Sequence, residues 1–265
     1  MMARQYWNGI GRECRDSERE YLWRIHLQWI YRRLLNRWAD RFNEGLALKT
    51  DLFDEAVSPD HLIALLSEIY PRVVGIDIAY YTATAARGKF FGNSKQTCVA
   101  VSDIRRMGLK PNMFDMILSP STLDHFQNLN DLVVSLQETH RLLKSGGTLF
   151  ITLDNPANPI VSLRNRLPYR PLKEWGIVPF QMGITLSMAE LIAMLESLNF
   201  TVIDHTVIVH SPRILAIRAG QLLKKIGNRC INDFFLNVLK KIEILADRPT
   251  RYKTGYYVAV KAIKP

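Results

Sequence analysis

The sequence predicts an α/β fold built on a doubly wound sheet of seven strands, with an N-terminal helix and a helical insertion before the last strand. Three observations carry this. Short apolar runs at 46–50, 73–78, 97–101, 114–119 and 148–153 alternate with segments of helical period. Val73, Val74, Ile76 and Ile78 form a run too short for a buried helix and too apolar for an exposed strand, as a central parallel strand requires. Asp77 then stands at the carboxyl end of that run, where ligands bind in open α/β sheets and an acidic residue can take both hydroxyls of a ribose. With 265 residues, 48% of them hydrophobic and 23% charged, the chain can bury a full core, and one main domain with appendages is expected.

Taken in order, Ser17 and Glu20 have the spacing of a capping box and predict a helix start. Trp23, Leu27, Ile30, Leu34 and Trp38 follow at helical spacing, with Arg24, Arg32, Arg33 and Arg37 mostly off that stripe. Such a helix either packs on the domain or covers a ligand site. After Gly45, residues 46–50 predict a strand, and Ser58 and Pro59 supply an N-cap and first-turn proline before Leu62, Leu65, Leu66 and Ile69. The resulting βαβ unit is right-handed and brings the loop at 50–59 beside Asp77. That loop has no glycine, so it cannot cradle a pyrophosphate; Thr50, Asp51, Asp54 and Glu55 suit a cationic or hydroxylated ligand end.

A helix is expected over 128–143, stopped by Ser145, Gly146 and Gly147 ahead of a fifth strand ending at Asp154. Residues 155–185, rich in Pro, Asn and Arg, read as a long irregular loop on the functional edge. Ser187 caps a helix to Leu198, and 200–210 form a sixth strand. Ser211 and Pro212 start a helix with Leu215, Ala219, Leu222 and Ile226 on one face; a second carries Ile231, Phe234, Phe235, Val238, Ile242 and Leu245. The last strand, 256–263, would run antiparallel to the sixth. The expected organisation is thus an extension at 1–44 and a domain at 45–265, with an acceptor-side loop at 155–185 and a basic insertion at 212–248.

Charge is uneven. Residues 1–41 carry nine Lys/Arg against five Asp/Glu, 42–210 carry 14 against 17, and 211–265 carry 12 against three. A basic excess confined to the ends points to an anionic partner or surface met by the appendages, and no nucleic-acid reader motif accompanies it, so no nucleic-acid partner is expected. Cys14, Cys98 and Cys230 are far apart and predict free thiols and no metal site. No apolar run approaches the roughly 18 residues that span a bilayer, and MMARQYWNGI lacks a signal-peptide core, so a cytoplasmic location is expected, with peripheral contact to the inner membrane surface as an added reading.

The succession VVGID, Ser102-Asp103, FDMILSPSTLDH at 114–125 and HRLLKSGGTLFITL at 140–153 resembles the class I S-adenosylmethionine-dependent methyltransferases in order and spacing across about 110 residues. The resemblance implies a Rossmann-like sheet with the last strand antiparallel and S-adenosyl-L-methionine across the ends of the first four strands. Asp77 would hold the cofactor ribose, Ile78 would pack on the adenine, Asp103 would meet its amino group, and Ile104 and Ser119 would also belong to the cofactor-binding set. The chain departs from the family in its glycine-free first loop, where Thr50, Asp51 or Glu55 would meet the methionine end. Either this variant loop binds the cofactor or binding has been lost.

Of six histidines, His125 lies just past the fourth strand and is the candidate base; His210 is a candidate acceptor-side group. The functional expectation is O-methylation of a small or carrier- or lipid-linked molecule. A non-catalytic adaptor that has lost cofactor binding stands as the alternative, and a nicotinamide-dependent oxidoreductase is disfavoured by the missing glycine fingerprint. The oligomeric state is not legible.

Overall fold

The computed structural model describes residues 2–13, 20–39, 44–57, 62–90, 97–178 and 180–265. Helices α1 (Met2–Glu13) and α2 (Tyr21–Trp38) precede β1 (Leu46–Thr50), α3 (Phe53–Val57), α4 (Leu62–Ser67), β2 (Arg72–Asp77), α5 (Tyr80–Phe90) and β3 (Thr97–Val101). Then come β4 (Phe114–Pro120), α6 (Leu129–Leu142), β5 (Leu143–Asp154), α7 (Pro159–Arg166), α8 (Tyr169–Glu174), α9 (Met188–Ser197) and β6 (Thr201–Ile208). Helices α10 (Arg213–Ile226), α11 (Arg229–Ile242) and α12 (Arg251–Thr254) lead into β7 (Tyr257–Ile263).

The seven strands form one sheet in the order β3-β2-β1-β4-β5-β7-β6, parallel from β3 to β5 and antiparallel where β7 inserts between β5 and β6. The order reverses between β1 and β4, so the connections that leave these two strands diverge and open a crevice at their carboxyl ends. Alternation along each strand builds two cores. Ala47, Met116, Phe150 and Ala259 face α2 and α4, whereas Leu48, Ile117, Ile151 and Val260 face α6 and α9.

Several expectations change on the structure. Helix α1 has no counterpart in the sequence reading, and the loop after β1 contains α3. The capping box is not seen: Ser17 lies outside the described residues, and Glu20, which precedes α2, makes no side-chain cap. Ser58, Pro59 and Cys14 also lie outside them. Gly146 and Gly147 do not stop α6; they belong to β5, whose first residue Leu143 already pairs with Phe114. The segment 155–185 is partly helical, as Asn158 caps α7 with Pro159 in its first turn.

The two basic appendages pack on each other. Glu243, 3% exposed, accepts from His26 of α2 at 3.1 Å, from the Ser211 hydroxyl at 2.9 Å, and from the His210 and Ser211 backbone N–H groups at 3.0 Å each. This buried carboxylate ties α2 to the start of α10. Where α10 meets α2 the contact is made by small residues, Ala216 and Gly220, the latter lying over Leu22. The larger stripe therefore faces out: Leu215, Leu222 and Ile226, with Ile231, Phe234 and Val238 of α11, are all exposed.

Candidate functional site

The crevice is shaped first by a turn at the end of β1. Asp51 adopts φ 73, the left-handed region that usually favours glycine, and its side chain makes this tolerable by accepting the Phe53 N–H at 2.7 Å. Behind it Lys49, 1% exposed, donates to the Asp51 carbonyl and to Glu55 at 2.8 Å; Glu55, fully buried, also accepts the Ile63 N–H at 3.2 Å. An Asx turn braced by an internal ion pair thus replaces the expected glycine. It also removes Glu55 from the ligand candidates, since its carboxylate is spent inside the loop and lies off the cavity wall.

Asp77 ends β2 and accepts the Leu52 N–H at 2.9 Å and the Ala79 N–H at 2.7 Å, fastening the first loop to the second strand. Burial and the charge of Asp51 push it up to about 7, and Asp51 is raised as well, by its own burial. Two carboxylates share one poorly solvated pocket, an arrangement that is relieved when a cation arrives. Asp103, at the end of β3, is gripped by Arg105 at 2.6 Å; burial would raise it, but Arg105 outweighs burial and holds it low. Ile78 and Ile104 line the wall between these acids. Thr50 lines it too and donates to Ser119 at 3.0 Å, but Ser119 itself sits behind the wall, 2% exposed.

Past β4 the chain makes a tight 3₁₀ turn, Leu123–His125. His125 packs edge-on against Trp7 of α1 at 4.9 Å and Phe180 at 5.1 Å, and its buried Nδ1 has no hydrogen-bond partner among the described residues. Burial lowers its pKa against the opposing pull of Asp51, so the ring is neutral at pH 7. Next to it Asp124 accepts from Ser121 at 2.7 Å and the Asp154 N–H at 3.1 Å, leaving Oδ1 unpartnered; burial and Asp154 push it up to about 7. The covering segment is pinned here by Gly183 N–H to Asp124 O at 2.9 Å, and a β-carbon on Gly183 would lie 2.2 Å from Phe126 O, so only glycine fits.

The far wall comes from the ends of β5 and β7 and from α10. Arg164 pairs with Asp154 and donates to the Tyr256 hydroxyl at 2.7 Å, and Arg213, Ile214 and Ile217 of α10 stand beside them. With α2 overhead, through Trp23, Arg24, Leu27 and Tyr31, these surfaces enclose one cavity of about 760 Å³. That volume is ordinary for a small-molecule site. Its acidic edge suits a ligand that brings hydroxyls and a positive charge, and its far end is apolar and basic.

The structure therefore brings together Thr50, Asp51, Asp77, Ile78, Asp103, Ile104 and His125 and leaves Ser119 and Glu55 outside the wall. His210 bonds Thr254 at 2.8 Å and is likewise not part of it. Trp7 and Arg213 were not nominated by sequence, and Asp124, Arg164 and Phe180 were not singled out, although Arg164 and Phe180 lie in the segment read as the acceptor-side loop. Asp124 had a signal, its place one residue before His125; the others meet only through the topology.

Residues 56–151 match a family model described as a methyltransferase domain. No curated protein matches the sequence. Among solved structures, the chain is similar to the protein bound to the Trm112 methyltransferase activator of Haloferax volcanii, with a TM-score of 0.62 at 12% identity, covering 97% of both chains. It is similar to Haemonchus contortus phosphoethanolamine N-methyltransferase 2 in complex with S-adenosyl-L-methionine, with a TM-score of 0.60 at 15% identity, covering 89% of this chain and 53% of that one. A third is geranyl diphosphate C-methyltransferase from Streptomyces coelicolor A3(2), with a TM-score of 0.59 at 13% identity, covering 90% and 80%. The likeness at these identities is one of fold.

Proposed function

We propose that this chain, a class I S-adenosylmethionine-dependent methyltransferase, methylates a hydroxyl on a small or carrier- or lipid-linked acceptor. The cofactor supplies an electrophilic methyl on a sulfonium, and the residues of the chain position both partners for in-line displacement. Asp77 takes the ribose hydroxyls, Ile78 and Ile104 flank the adenine, and Asp103 meets the adenine amino group. Thr50 and Asp51 face the methionine end. The donor set supports this assignment, because the paired acids Asp51 and Asp77 are poised for a ligand that is both cationic and hydroxylated.

The observation that carries the choice of a hydroxyl is His125, neutral, with an unpartnered Nδ1, on the cavity wall at the end of β4. An alcohol gains nucleophilicity as its proton leaves, and a neutral imidazole in an aromatic enclosure can receive that proton while water is kept out. The similar structures are named for methylation at carbon and at nitrogen, so the fold leaves the atom open. Asp124, close to 7 and with a free Oδ1, supports a second assignment of the base.

The helical pair supports a lipid-linked acceptor and peripheral contact with an anionic membrane. Leu215, Leu222, Ile226 and Phe234 are exposed, and Lys224, Lys225, Arg229, Lys240 and Lys241 lie on the same two helices. The opposite side of α10 lines the cavity. No helix among the described residues is long and apolar enough to cross a membrane.

The test offers methyl-labelled S-adenosylmethionine with a total lipid extract in anionic vesicles and, separately, with an aqueous metabolite fraction. A hydroxyl acceptor yields a methyl ether, and His125→Asn lowers turnover while cofactor affinity stays within about twofold. Label found only on amines, or full turnover in His125→Asn, contradicts the assignment; loss in Asp124→Asn alone moves the base to Asp124.

A further inference from the structure

At the far end of the cavity stands an arginine with little to hold. Arg213 lies over the Tyr256 ring at 5.6 Å and reaches its hydroxyl at a long 3.5 Å, and its Nε is buried with no hydrogen-bond partner among the described residues. Among the described residues no carboxylate lies within ion-pair distance of it. Glu20, whose field it feels, is engaged by Arg24 at 3.3 Å, and Asp154 is taken by Arg164. A half-buried guanidinium with no carboxylate on it can take a ligand that supplies the counter-charge.

The surroundings reinforce this. Arg213 and Ile214 are the first residues of the 14-residue helix α10, which has no side-chain cap and no acidic residue in its first turn. Its positive end lies beside the guanidinium, with Glu243 bonded to the Ser211 N–H just ahead of it. Tyr256 accepts from Arg164, so its own hydroxyl proton is available to an anion. Lys173 and Arg218 line the same cavity.

We propose that this end of the cavity is a phosphate subsite, in which Arg213, backed by Arg164 and Tyr256, holds a phosphate group carried by the acceptor. The inference rests on the reading of the cavity as the methyl-transfer site, and it constrains the acceptor's length. Tyr256 and Tyr257 sit at the β7 end, two strands beyond β4, which is about 10 Å along the sheet edge. The atom that receives the methyl and the phosphate are thus separated by a chain of several bonds. Three side chains, Arg213, Arg164 and Tyr256, meet at this end, and a phosphate has the oxygens to meet all three.

The experiment uses the full chain saturated with S-adenosylhomocysteine and inorganic phosphate as the probe, titrated at constant ionic strength against chloride. Phosphate should bind saturably and raise the melting temperature, and Arg213→Met should weaken it by about tenfold to a hundredfold. Arg213→Lys should fall between, and S-adenosylhomocysteine affinity should stay within about twofold in both variants. In the wild type, which removes any question of variant folding, phosphate should protect Arg213 from phenylglyoxal as read by mass spectrometry. Dihexanoyl phosphatidic acid binding more tightly than phosphate, in an Arg213-dependent way, assigns a lipid headgroup; equal affinity assigns a soluble phosphate ester.

Absence of protection together with equal phosphate response in Arg213→Met overturns the subsite. If S-adenosylhomocysteine fails to bind while phosphate still protects Arg213, the methyl-transfer reading falls and the subsite stands.

Discussion

Asp77 shows how far single residues could be read from the sequence. Its place at a strand end follows from a local apolar run, and so do those of Ile78 and Asp103, which is why they were legible. The conformation of Asp51 was not, because it depends on a buried Lys49–Glu55 pair that only the folded loop assembles. Breaking that pair with Glu55→Gln should leave a buried ammonium unpaired and cost about 3–5 kcal/mol in denaturant unfolding, whereas changing both residues to apolar ones should cost less. The raised carboxyl of Asp77 adds a pH signature. Its folded value of about 7 lies above the unfolded one, so whatever stability it contributes is present at low pH and lost as pH rises toward 7. Ligand hydroxyls need the ionised form, so S-adenosylhomocysteine affinity should be highest above pH 7. Below pH 7 it should fall by up to about tenfold per unit, and Asp77→Ala should flatten that profile.

At the level of elements, the strands and α6, α9, α10 and α11 were legible because their periodicity is local. Helix α1 was not: it carries Trp7 onto His125, and no repeat in the sequence marks that contact. The direction α10 faces was also hidden, since its buried side uses Ala216 and Gly220 and the hydrophobic pattern points the other way. Anionic vesicles should therefore bind the protein at least about tenfold more tightly than neutral ones, with Leu222→Asp and Phe234→Asp reducing binding and high salt abolishing it. Salt-insensitive or absent co-sedimentation would remove the membrane-contact reading. The Glu243 junction makes a separate prediction. Burial alone would raise this carboxyl, but the bonds from His26, His210 and Ser211 hold it below its ordinary value. Its contribution is present above the unfolded carboxylate value and lost as pH falls through the folded one. Glu243→Gln should cost about 2–4 kcal/mol and loosen α10, read as faster amide exchange in α10 than in β5.

For the whole molecule, the two charged ends that looked separate in sequence form one layer, because His26 and Glu243 join α2 to the helical insertion over the cavity. That layer completes the cavity: α1 and α2 cover it, and α10 supplies its far wall. The antiparallel last strand followed from the family resemblance, whereas the meeting of Arg164, Arg213 and Tyr256 depended on strands 100 residues apart in chain order being adjacent, as Asn155 and Gly255 are. The central claim is that the glycine-free loop still presents Asp51 and Asp77 to S-adenosylmethionine. Isothermal titration of the full chain with S-adenosylhomocysteine at pH 8 tests it most directly. The account predicts one saturable site, weakened by about tenfold to a hundredfold in Asp77→Ala and unchanged in Ser119→Ala. No heat of binding in the wild type, or equal affinity in Asp77→Ala, would contradict it.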